Sequence, residues 1–486
     1  AFLDLGPQRA RGGGAHDEHG EADERLGKPS DRVPAGEQAG ERSTPESAAQ
    51  EQQPSATATA EATLSPPTST PQAVMATATA VSSPTVEAPL TFPTFSYGDV
   101  AACGQELPLV TAYDGPIVDS LSPDAAALQT VLESLPEAAR PALDQRLEAP
   151  QTVGLAAYRV GEEASGVYLN GEVPMPLASV VKVIHLIAYA EAVAAGELIP
   201  TETIMLEELD RYYYRLDQRA HLYALEDLEA DGRLFGQPPA LILDEVAHMM
   251  IEYSSNAATD YLHMRLGQET IEETARELGL QSQTAPCPFV GQFLIMDNHT
   301  RPQIDGQTAL EFYADDPQRY GEELMQLTAA FSEDAQFHEE ALDWRRNTRR
   351  PDIGTQRLFS EQFNSRGTAV EYADLMARLS LNGLDSAESS FITRRHLEWP
   401  MRYSENQELF TNLAYIGGAL PGILTTVYYA NPIGETNPVV VALFYHDLHN
   451  SSYQRWRRSL AHDEFARWLL YEPQAIPAMR ALIESG

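Results

Sequence analysis

The stretch that most constrains the fold runs from Pro176 to Val193 and reads P-L-A-S-V-V-K-V-I-H-L-I-A-Y-A-E-A-V. Its apolar spacing predicts an extended lead-in followed by an amphipathic helix that begins near Ser179. Three residues advance a helix by roughly 300°, so Ser179 and Lys182 lie one turn apart on neighbouring faces. A serine at a helix start with a lysine one turn later is a candidate nucleophile beside a candidate base.

Lysine is rare in this chain. It occurs only at Lys28 and Lys182, and nearly every other basic residue is arginine. Lys28 lies in a polar N-terminal segment, so the part that we expect to fold contains a single lysine. Arginine would serve as a surface cation, whereas lysine alone gives up its proton when it is desolvated. We therefore interpret Lys182 as a proton acceptor rather than as an ordinary surface residue.

The N-terminal part of the sequence lacks the apolar pattern of a folded domain. Residues 1–44 are rich in Gly, Glu, Asp and Arg, and residues 43–93 are dominated by Ser, Thr, Ala and Pro. We predict a disordered, low-complexity tail and linker over residues 1–94 and one folded domain over residues 95–486. The linker indicates an extracellular or cell-envelope protein tethered through it, with a merely dispensable tail as the alternative.

Charge and composition restrict the expected partners. The formal net charge of −38 argues against nucleic acids and anionic membranes. No apolar run reaches the length of about 18 residues that a membrane-spanning helix needs. The two cysteines, Cys103 and Cys287, form one disulfide or remain two buried thiols, and the sequence does not choose between them. We expect a monomer.

The pattern of strands and helices predicts an α/β (α+β) fold. Two strands are predicted at residues 153–160 and 166–171, and three more at 411–420, 423–430 and 438–446, followed by one helix over residues 453–470. Helices fill the middle, among them one over residues 241–253 that is capped near Asp244. This order predicts a central antiparallel five-stranded sheet built from both ends of the chain, flanked by helices and joined to an all-helical subdomain.

Residues 281–363 interrupt this pattern. They contain Pro, Gly, Asp and aromatic residues without a sustained period, apart from an acidic helix near residues 317–331. A segment this long is more than a connection between helices. We predict an insertion that is either a lid over the site or an added subdomain.

Three motifs carry a resemblance to a known family. P-L-A-S-V-V-K is followed by Y-S-S-N-A-A-T-D-Y-L and later by Y-I-G-G-A-L-P-G. The chain from about Ser122 to Leu470, apart from the insertion, resembles the class A β-lactamase and penicillin-binding-protein superfamily, which is marked by S-x-x-K, S-D-N and K-T-G in this order. The resemblance implies a serine hydrolase or acyltransferase that acts on an ester, amide or β-lactam-like group of a small-molecule or peptidoglycan-like substrate.

The resemblance also implies roles for the first two motifs. Ser179 would be the acylated nucleophile, and Lys182 would take its proton. Ser254 would relay a proton to the leaving group, and Asn256 would bind a substrate amide oxygen. Ser254 and its neighbour Ser255 have an alternative role as caps of the helix that begins near Asn256.

The third motif implies the oxyanion hole. The backbone N–H groups of Ser179 and Ala419, the latter next to Gly418, would stabilise the developing negative charge by a few kcal/mol. No cofactor and no metal are expected. The helical histidines have no metal-ligand partners at suitable spacing and are interpreted as packing or surface residues: His185, His248 and His263.

Two departures from the family pattern limit the expected chemistry. Ile416, Gly417 and Gly418 replace K-T-G, so the cation that holds a substrate carboxylate would have to be an arginine from elsewhere: Arg215, Arg219 or the cluster at 345–350. The deacylating E-x-x-L-N motif has only E-Q-F-N at residues 361–364 as a counterpart, one residue short. We therefore do not expect efficient penicillin hydrolysis. A catalytically reduced cell-envelope binding domain is the alternative function.

Overall fold

The computed structural model describes residues 100–217, 219–298, 305–348 and 350–486. The tail predicted over residues 1–94 lies outside the described residues, so the domain boundary at residue 95 stays a prediction. The described residues form a mixed α/β architecture of many helices around one large sheet. The predicted fold class is confirmed.

The large sheet has five antiparallel strands, as predicted, and their order is β2-β1-β9-β8-β7; β3-β6 and β4-β5 form two short pairs. β1 lies beside β9, with Val153 opposite Tyr445. The two ends of the chain therefore meet at the middle of the sheet, and β7 is left at its edge. The strands of the described part are β1 (Val153–Arg159), β2 (Val167–Leu169), β3 (Met175–Pro176), β4 (Thr203–Met205), β5 (Ala240–Ile242), β6 (Arg366–Gly367), β7 (Phe410–Leu420), β8 (Ile423–Pro432) and β9 (Val439–Tyr445).

The helices precede, interrupt and follow these strands. No helix in the described ranges is long and apolar enough to cross a bilayer. In chain order, the α-helices of the described part are α1 (Ala125–Ser134), α2 (Arg140–Glu148), α3 (Lys182–Ala194), α4 (Leu206–Asp210), α5 (Ala220–Ala230), α6 (Leu243–Glu252), α7 (Asn256–Leu266), α8 (Gln268–Glu277), α9 (Phe289–Met296), α10 (Gly306–Asp315), α11 (Pro317–Glu333), α12 (Ala335–Asn347), α13 (Ile353–Phe363), α14 (Ala369–Ser380), α15 (Ala387–Leu397), α16 (Ser404–Gln407), α17 (Asn450–Ser459), α18 (Ala461–Tyr471) and α19 (Ala475–Glu484).

Helices cover both faces of the sheet. Phe444 and Tyr445 are consecutive on β9, so their side chains point to opposite faces. The Phe444 ring contacts Tyr372 of α14, with ring centroids 5.9 Å apart. On the other face, the Tyr445 hydroxyl donates a hydrogen bond of 2.9 Å to the Ala142 carbonyl of α2. Because neither face is solvated, β8 and β9 read as nearly continuous apolar runs.

Residues 281–363, the predicted insertion, form α9 to α13, including the predicted acidic helix, and are called the helical subdomain below. Asp260 of α7 holds the start of α9, because its two carboxylate oxygens accept hydrogen bonds of 2.7 Å from the N–H groups of Phe289 and Val290. The later aspartates that break the apolar period are the N-caps of α10 to α13, which explains why the sequence pattern hid these helices: Asp305, Asp316, Asp334 and Asp352.

Two predicted helices differ from the observed ones. The helix predicted over residues 453–470 is two helices, α17 and α18, because Leu460 between them has a left-handed φ of 54°. Asp244, the predicted cap of the helix over residues 241–253, lies inside the first turn of α6. Its carboxylate accepts a hydrogen bond of 3.1 Å from the Tyr189 hydroxyl, so it links two helices instead of capping one.

Cys103 and Cys287 form a disulfide, with Cα atoms 5.9 Å apart, which decides between the two alternatives left open by the sequence. The bond joins the segment before α1 to the helical subdomain. Glu272 of α8 holds the same segment, because its carboxylate accepts hydrogen bonds from the N–H groups of Gly104 at 2.8 Å and Leu107 at 3.0 Å. The start of the described chain is thus fixed close to α9.

Candidate active site

Ser179 lies in a 3₁₀ turn, Ala178–Val181, that leads directly into α3. It is the only partly exposed residue from Val173 to Ala190, since every other residue of that stretch is buried. The predicted nucleophile is therefore presented to solvent by an otherwise buried segment.

Two neighbouring elements hold this turn in shape. Ala178 has a left-handed φ of 48°, a conformation that costs a non-glycine residue on the order of 1–3 kcal/mol. Its N–H donates a 2.7 Å hydrogen bond to the side-chain oxygen of buried Asn364, at the end of α13. The Thr425 hydroxyl of β8 donates another, of 2.7 Å, to the Leu177 carbonyl. The serine turn is fixed by the helical subdomain on one side and by the sheet on the other.

Lys182 is fully buried at the start of α3. Its Nζ lies 2.7 Å from the Ser254 carbonyl oxygen, 3.0 Å from Ser254 Oγ and 2.9 Å from Asn256 Oδ1. Burial lowers the pKa of Lys182 to about 7, although the nearby carboxylates of Asp217 and Asp260 act in the opposite direction. Near neutral pH the amine is therefore partly uncharged, and its lone pair can accept the Ser254 proton while its N–H groups donate to the other two oxygens.

Of the two serines in the second motif, one caps a helix and the other faces the cleft. Ser255 is buried and caps α7, because its hydroxyl oxygen accepts the Ala258 N–H at 3.2 Å. Ser254, with a left-handed φ of 60°, and Asn256 are partly exposed and face the cleft with Ser179. The cap and the site residue are thus adjacent but different side chains.

A histidine that the sequence reasoning missed supports this loop. His221 of α5 is buried, with Nε2 2.9 Å from Asp210 Oδ1 and Nδ1 3.0 Å from Ser255 Oγ. A carboxylate oxygen accepts, so Nε2–H donates to Asp210 and Nδ1 accepts the Ser255 hydroxyl proton. The only sequence signal was an unremarkable histidine within an acidic segment.

The predicted packing histidines lie away from this loop. His185 and His263 are buried against each other, with Nε2 and Nδ1 2.9 Å apart, and burial lowers the pKa of His185 well below its usual range. His248 lies beside Glu252 at 3.2 Å. The described residues contain no group of three His, Cys, Asp or Glu side chains arranged to hold a metal ion.

One cleft of about 360 Å³ collects the predicted site residues. Five of the six predicted site residues line it, and the sixth, buried Lys182, contacts Ser254 and Asn256. A cavity of this size suits a small ligand or the reacting end of a larger one. The predicted residues on its wall are Ser179, Ser254, Asn256, Gly418 and Ala419.

The edge strand β7 brings the third motif against the serine turn. A Cβ added to Gly418 would lie 2.6 Å from Ser179 N and 2.8 Å from the Leu177 oxygen, so only glycine allows this approach. Ile416 is buried, whereas Gly417 and Ala419 line the cleft. No neighbouring strand pairs with the outer side of β7 within the described residues, which leaves its backbone groups available to a ligand.

Of the described arginines, those expected to replace the lost K-T-G cation do not line the cleft: Arg215, Arg219, Arg345, Arg346 and Arg350. Arg345 donates to the Arg215 carbonyl at 2.8 Å and faces buried Asp297 at 3.5 Å. Arg219 lies beside Glu226. Among the described residues, the arginines that line the cleft are instead Arg457 and Arg458 of α17. They come from beyond β9 and follow no motif, so the sequence offered no signal for them.

The E-Q-F-N segment does not supply a deacylating glutamate. The Glu361 carboxylate lies 3.0 Å from His446 Nδ1 and accepts the Asp447 N–H at 2.7 Å, and Glu361 does not line the cleft. Asn364 positions the serine turn, as described above. The glutamate of this segment therefore has no place on the cleft wall.

Substitution of Gly418 tests the packing of β7 on the serine turn. We expect Gly418→Ala to lower the free energy of unfolding by about 1–3 kcal/mol, because the added methyl meets backbone atoms that cannot rotate away. Urea unfolding measures the change. The control is Gly354→Ala, where the new Cβ meets only the end of the Asp352 side chain. Equal stability of Gly418→Ala and the native protein would contradict the close approach.

A comparison with known protein families finds one match. A sequence profile described as the β-lactamase enzyme family matches residues 140–413, which is more than half of the chain. No curated protein matches the chain.

Solved structures with similar folds share little sequence identity with this chain. A β-lactamase from Sphaerobacter thermophilus has 16% identity and a TM-score of 0.39, over 70% of this chain and 96% of that one. A class A β-lactamase from Mycobacterium abscessus has 12% identity and a TM-score of 0.39, over 71% and 98% of the two chains. The protein PBP-A has 14% identity and a TM-score of 0.36, over 71% and 97%.

The family assignment rests on the profile match, which spans the Ser179 turn and the Ser254 loop. It supports a serine hydrolase or acyltransferase role at the level of the superfamily. The chain belongs to the β-lactamase enzyme family.

Proposed function

We propose that this protein is a serine hydrolase or acyltransferase that reacts through an acyl-enzyme at Ser179. The observation that carries the proposal is the buried Lys182 amine, which contacts Ser254 at the wall of the cleft that Ser179 lines. A serine hydroxyl is a weak nucleophile until a nearby base removes its proton. A partly uncharged amine in a dry position is such a base.

In the proposed acylation, Ser179, Lys182 and Ser254 act one after the other. Ser179 Oγ attacks the carbonyl carbon and its proton passes to Lys182. The oxyanion is stabilised by the N–H groups of Ser179 and Ala419. When the oxyanion collapses, the bond between the acyl carbon and the leaving group breaks, and the proton on Lys182 passes through Ser254 to the leaving group. Asn256 Oδ1 already accepts from Lys182, so its NH₂ group is the end that binds a substrate amide oxygen.

The cleft favours an acyl donor that carries an anionic group. Arg457 and Arg458 supply the positive charge that the missing K-T-G lysine would supply, although they lie on α17 and the third motif lies on β7. An ester, an amide or a β-lactam-like ring next to a carboxylate fits this arrangement, and a peptidoglycan-like peptide has the same chemistry. Arg457 and Arg458 line the cleft together with Gly417, Gly418 and Ala419 of β7.

We place this activity outside the cytoplasm, at the cell surface or beyond it. The Cys103–Cys287 disulfide supports this placement, because disulfides persist mainly in oxidising compartments. The low-complexity linker predicted over residues 1–94 would then separate the domain from an attachment point.

Covalent labelling tests the acyl-enzyme. We expect a fluorophosphonate or a fluorescent penicillin to label the protein, and Ser179→Ala to remove the label. Ser165→Ala, at an exposed serine away from the cleft, is the matched control and should keep it. Labelling is read by fluorescence after denaturing electrophoresis. Absence of labelling by both reagents would favour the alternative, a binding domain that has lost turnover, for which buried Ile416 in place of the K-T-G lysine is the supporting observation.

The pH dependence of labelling tests Lys182 as the base. The amine accepts a proton only when it is uncharged, and its pKa is lowered to about 7. The rate of labelling should therefore rise with pH through 7 and level off above it, falling about tenfold per unit on the acid side. Stopped-time labelling with the fluorophosphonate measures the rate. A flat profile in the native protein would remove Lys182 from the reaction.

Substitution on α17 tests the anion site. We expect the Arg457→Gln and Arg458→Gln double variant to lose about 10- to 100-fold in kcat/KM for p-nitrophenyl hemisuccinate, because a charged hydrogen bond contributes about 1.5–3 kcal/mol. Activity on neutral p-nitrophenyl butyrate should change little. Arg455→Gln removes an exposed charge from the same helix away from the cleft and is the control. An unchanged ratio between the two esters would contradict the assignment.

A further inference from the structure

The second half of the proposed reaction needs a group that the first half does not use. Once the acyl group is on Ser179, a water molecule must lose a proton as it attacks the ester carbonyl. Glu361 does not line the cleft, and the ring of Phe289 lies 4.8 Å from Lys182 Nζ, so an apolar surface covers that side of the amine. The base must come from another part of the wall.

Asp217 precedes α5 and lines the same cleft as Ser179 and Asn256. Its two carboxylate oxygens have different environments. Oδ2 accepts a 3.0 Å hydrogen bond from the His221 N–H. Oδ1 is buried and has no hydrogen-bond partner among the described residues. A carboxylate oxygen in that position is unusual, because burial without a partner is costly.

The charges around Asp217 suit a proton acceptor. Burial raises the pKa of its carboxyl above the ordinary aspartate range, while the His221 N–H and the Lys182 amine act in the opposite direction. Of the two carboxylates that act on Lys182, Asp217 has the larger influence. The carboxyl and the amine are therefore electrostatically coupled across the cleft wall, close to the nucleophile.

We propose that Asp217 is the general base that activates water for deacylation of Ser179, an assignment that rests on the proposed acyl-enzyme. The unpaired Oδ1 is the oxygen that accepts the water proton. Asp217 stands before α5, whereas the E-Q-F-N segment lies before β6, so this chain takes its deacylating carboxylate from a different element of the cleft wall.

The step balances with groups already described. The water oxygen forms a bond to the acyl carbon as its proton moves to Asp217 Oδ1, and the carbonyl becomes an oxyanion held by the N–H groups of Ser179 and Ala419. When the oxyanion collapses, the bond between the acyl carbon and Ser179 Oγ breaks. The proton on Asp217 returns to Oγ, directly or through Lys182, and the product acid loses its own proton to solvent.

A purely structural role for Asp217 makes a different prediction. Its Oδ2 accepts the N–H of His221 in the first turn of α5, where Arg219 occupies the N-cap position. The side-chain oxygen of asparagine can accept the same hydrogen bond, but asparagine is not a base. Asp217→Asn therefore keeps this hydrogen bond and removes the proton acceptor, so it separates the two roles in a single substitution.

The experiment follows p-nitrophenyl butyrate through both half-reactions in native protein, Asp217→Asn, Asp217→Glu and the control Glu361→Gln. Stopped-flow release of nitrophenol gives the burst of acylation and the steady rate, and intact mass spectrometry gives the fraction of butyryl-enzyme. We expect Asp217→Asn to keep the burst, to lose about 100-fold or more in the steady rate and to accumulate butyryl-Ser179. Asp217→Glu should recover part of the steady rate, and Glu361→Gln should behave as native.

Each other outcome overturns the assignment in a recognisable way. If Asp217→Asn is acylated and then deacylates at the native rate, the acyl-enzyme stands and Asp217 is not its base. If Glu361→Gln accumulates the adduct instead, the base is Glu361. If native protein shows neither a burst nor an adduct, the acyl-enzyme itself fails and this inference falls with it. Circular dichroism checks folding. If Asp217→Asn unfolds, the folded Asp217→Glu variant decides: a slowed steady rate with accumulated butyryl-enzyme supports the assignment, and deacylation at the native rate with the carboxylate displaced overturns it.

Discussion

The site depends on one buried amine. Lys182 is enclosed on all sides, and its Nζ is held by three oxygens of the Ser254 loop. A charged ammonium in that position loses most of its hydration, so the surroundings favour the neutral form, and the nearby carboxylates keep the shift moderate. Arginine would stay charged there, which gives a physical reason why the one lysine of the described chain lies at this position.

The two segments next to the amine, the serine turn and the Ser254 loop, both have unfavourable backbone conformations. The serine turn adopts an unfavourable backbone conformation at Ala178, and Asn364 and Thr425 hold it from two different elements. The Ser254 loop adopts another, stabilised through Ser255 and His221. Strain of this kind persists only where the surrounding structure over-determines it. Its presence on both sides of the cleft indicates a site whose geometry is set before a ligand arrives.

The sequence predicted those parts of the structure that local patterns determine. Ser179 and Lys182 share one helix start, and the C-terminal strands alternate with clear turns, so both the sheet and the central pair were accessible. Asp217 and Arg457 were not, because their places in the cleft follow from how distant elements pack and no motif surrounds them. Most helices of the subdomain were not predicted, because aspartate is common both at helix N-caps and in loops, and the sequence alone does not distinguish the two.

The disulfide has a consequence for the order in which the molecule is completed. Cys103 and Cys287 close a covalent ring of chain that contains the serine turn and the Ser254 loop, whereas the edge strand with Gly418 lies outside it. A chain emerging from its N-terminus can close this ring before that strand has been made. The serine turn and the Ser254 loop are thus joined within one covalent ring, and the strand with Gly418 and Ala419 reaches them through contacts of very long sequence separation, which slow folding.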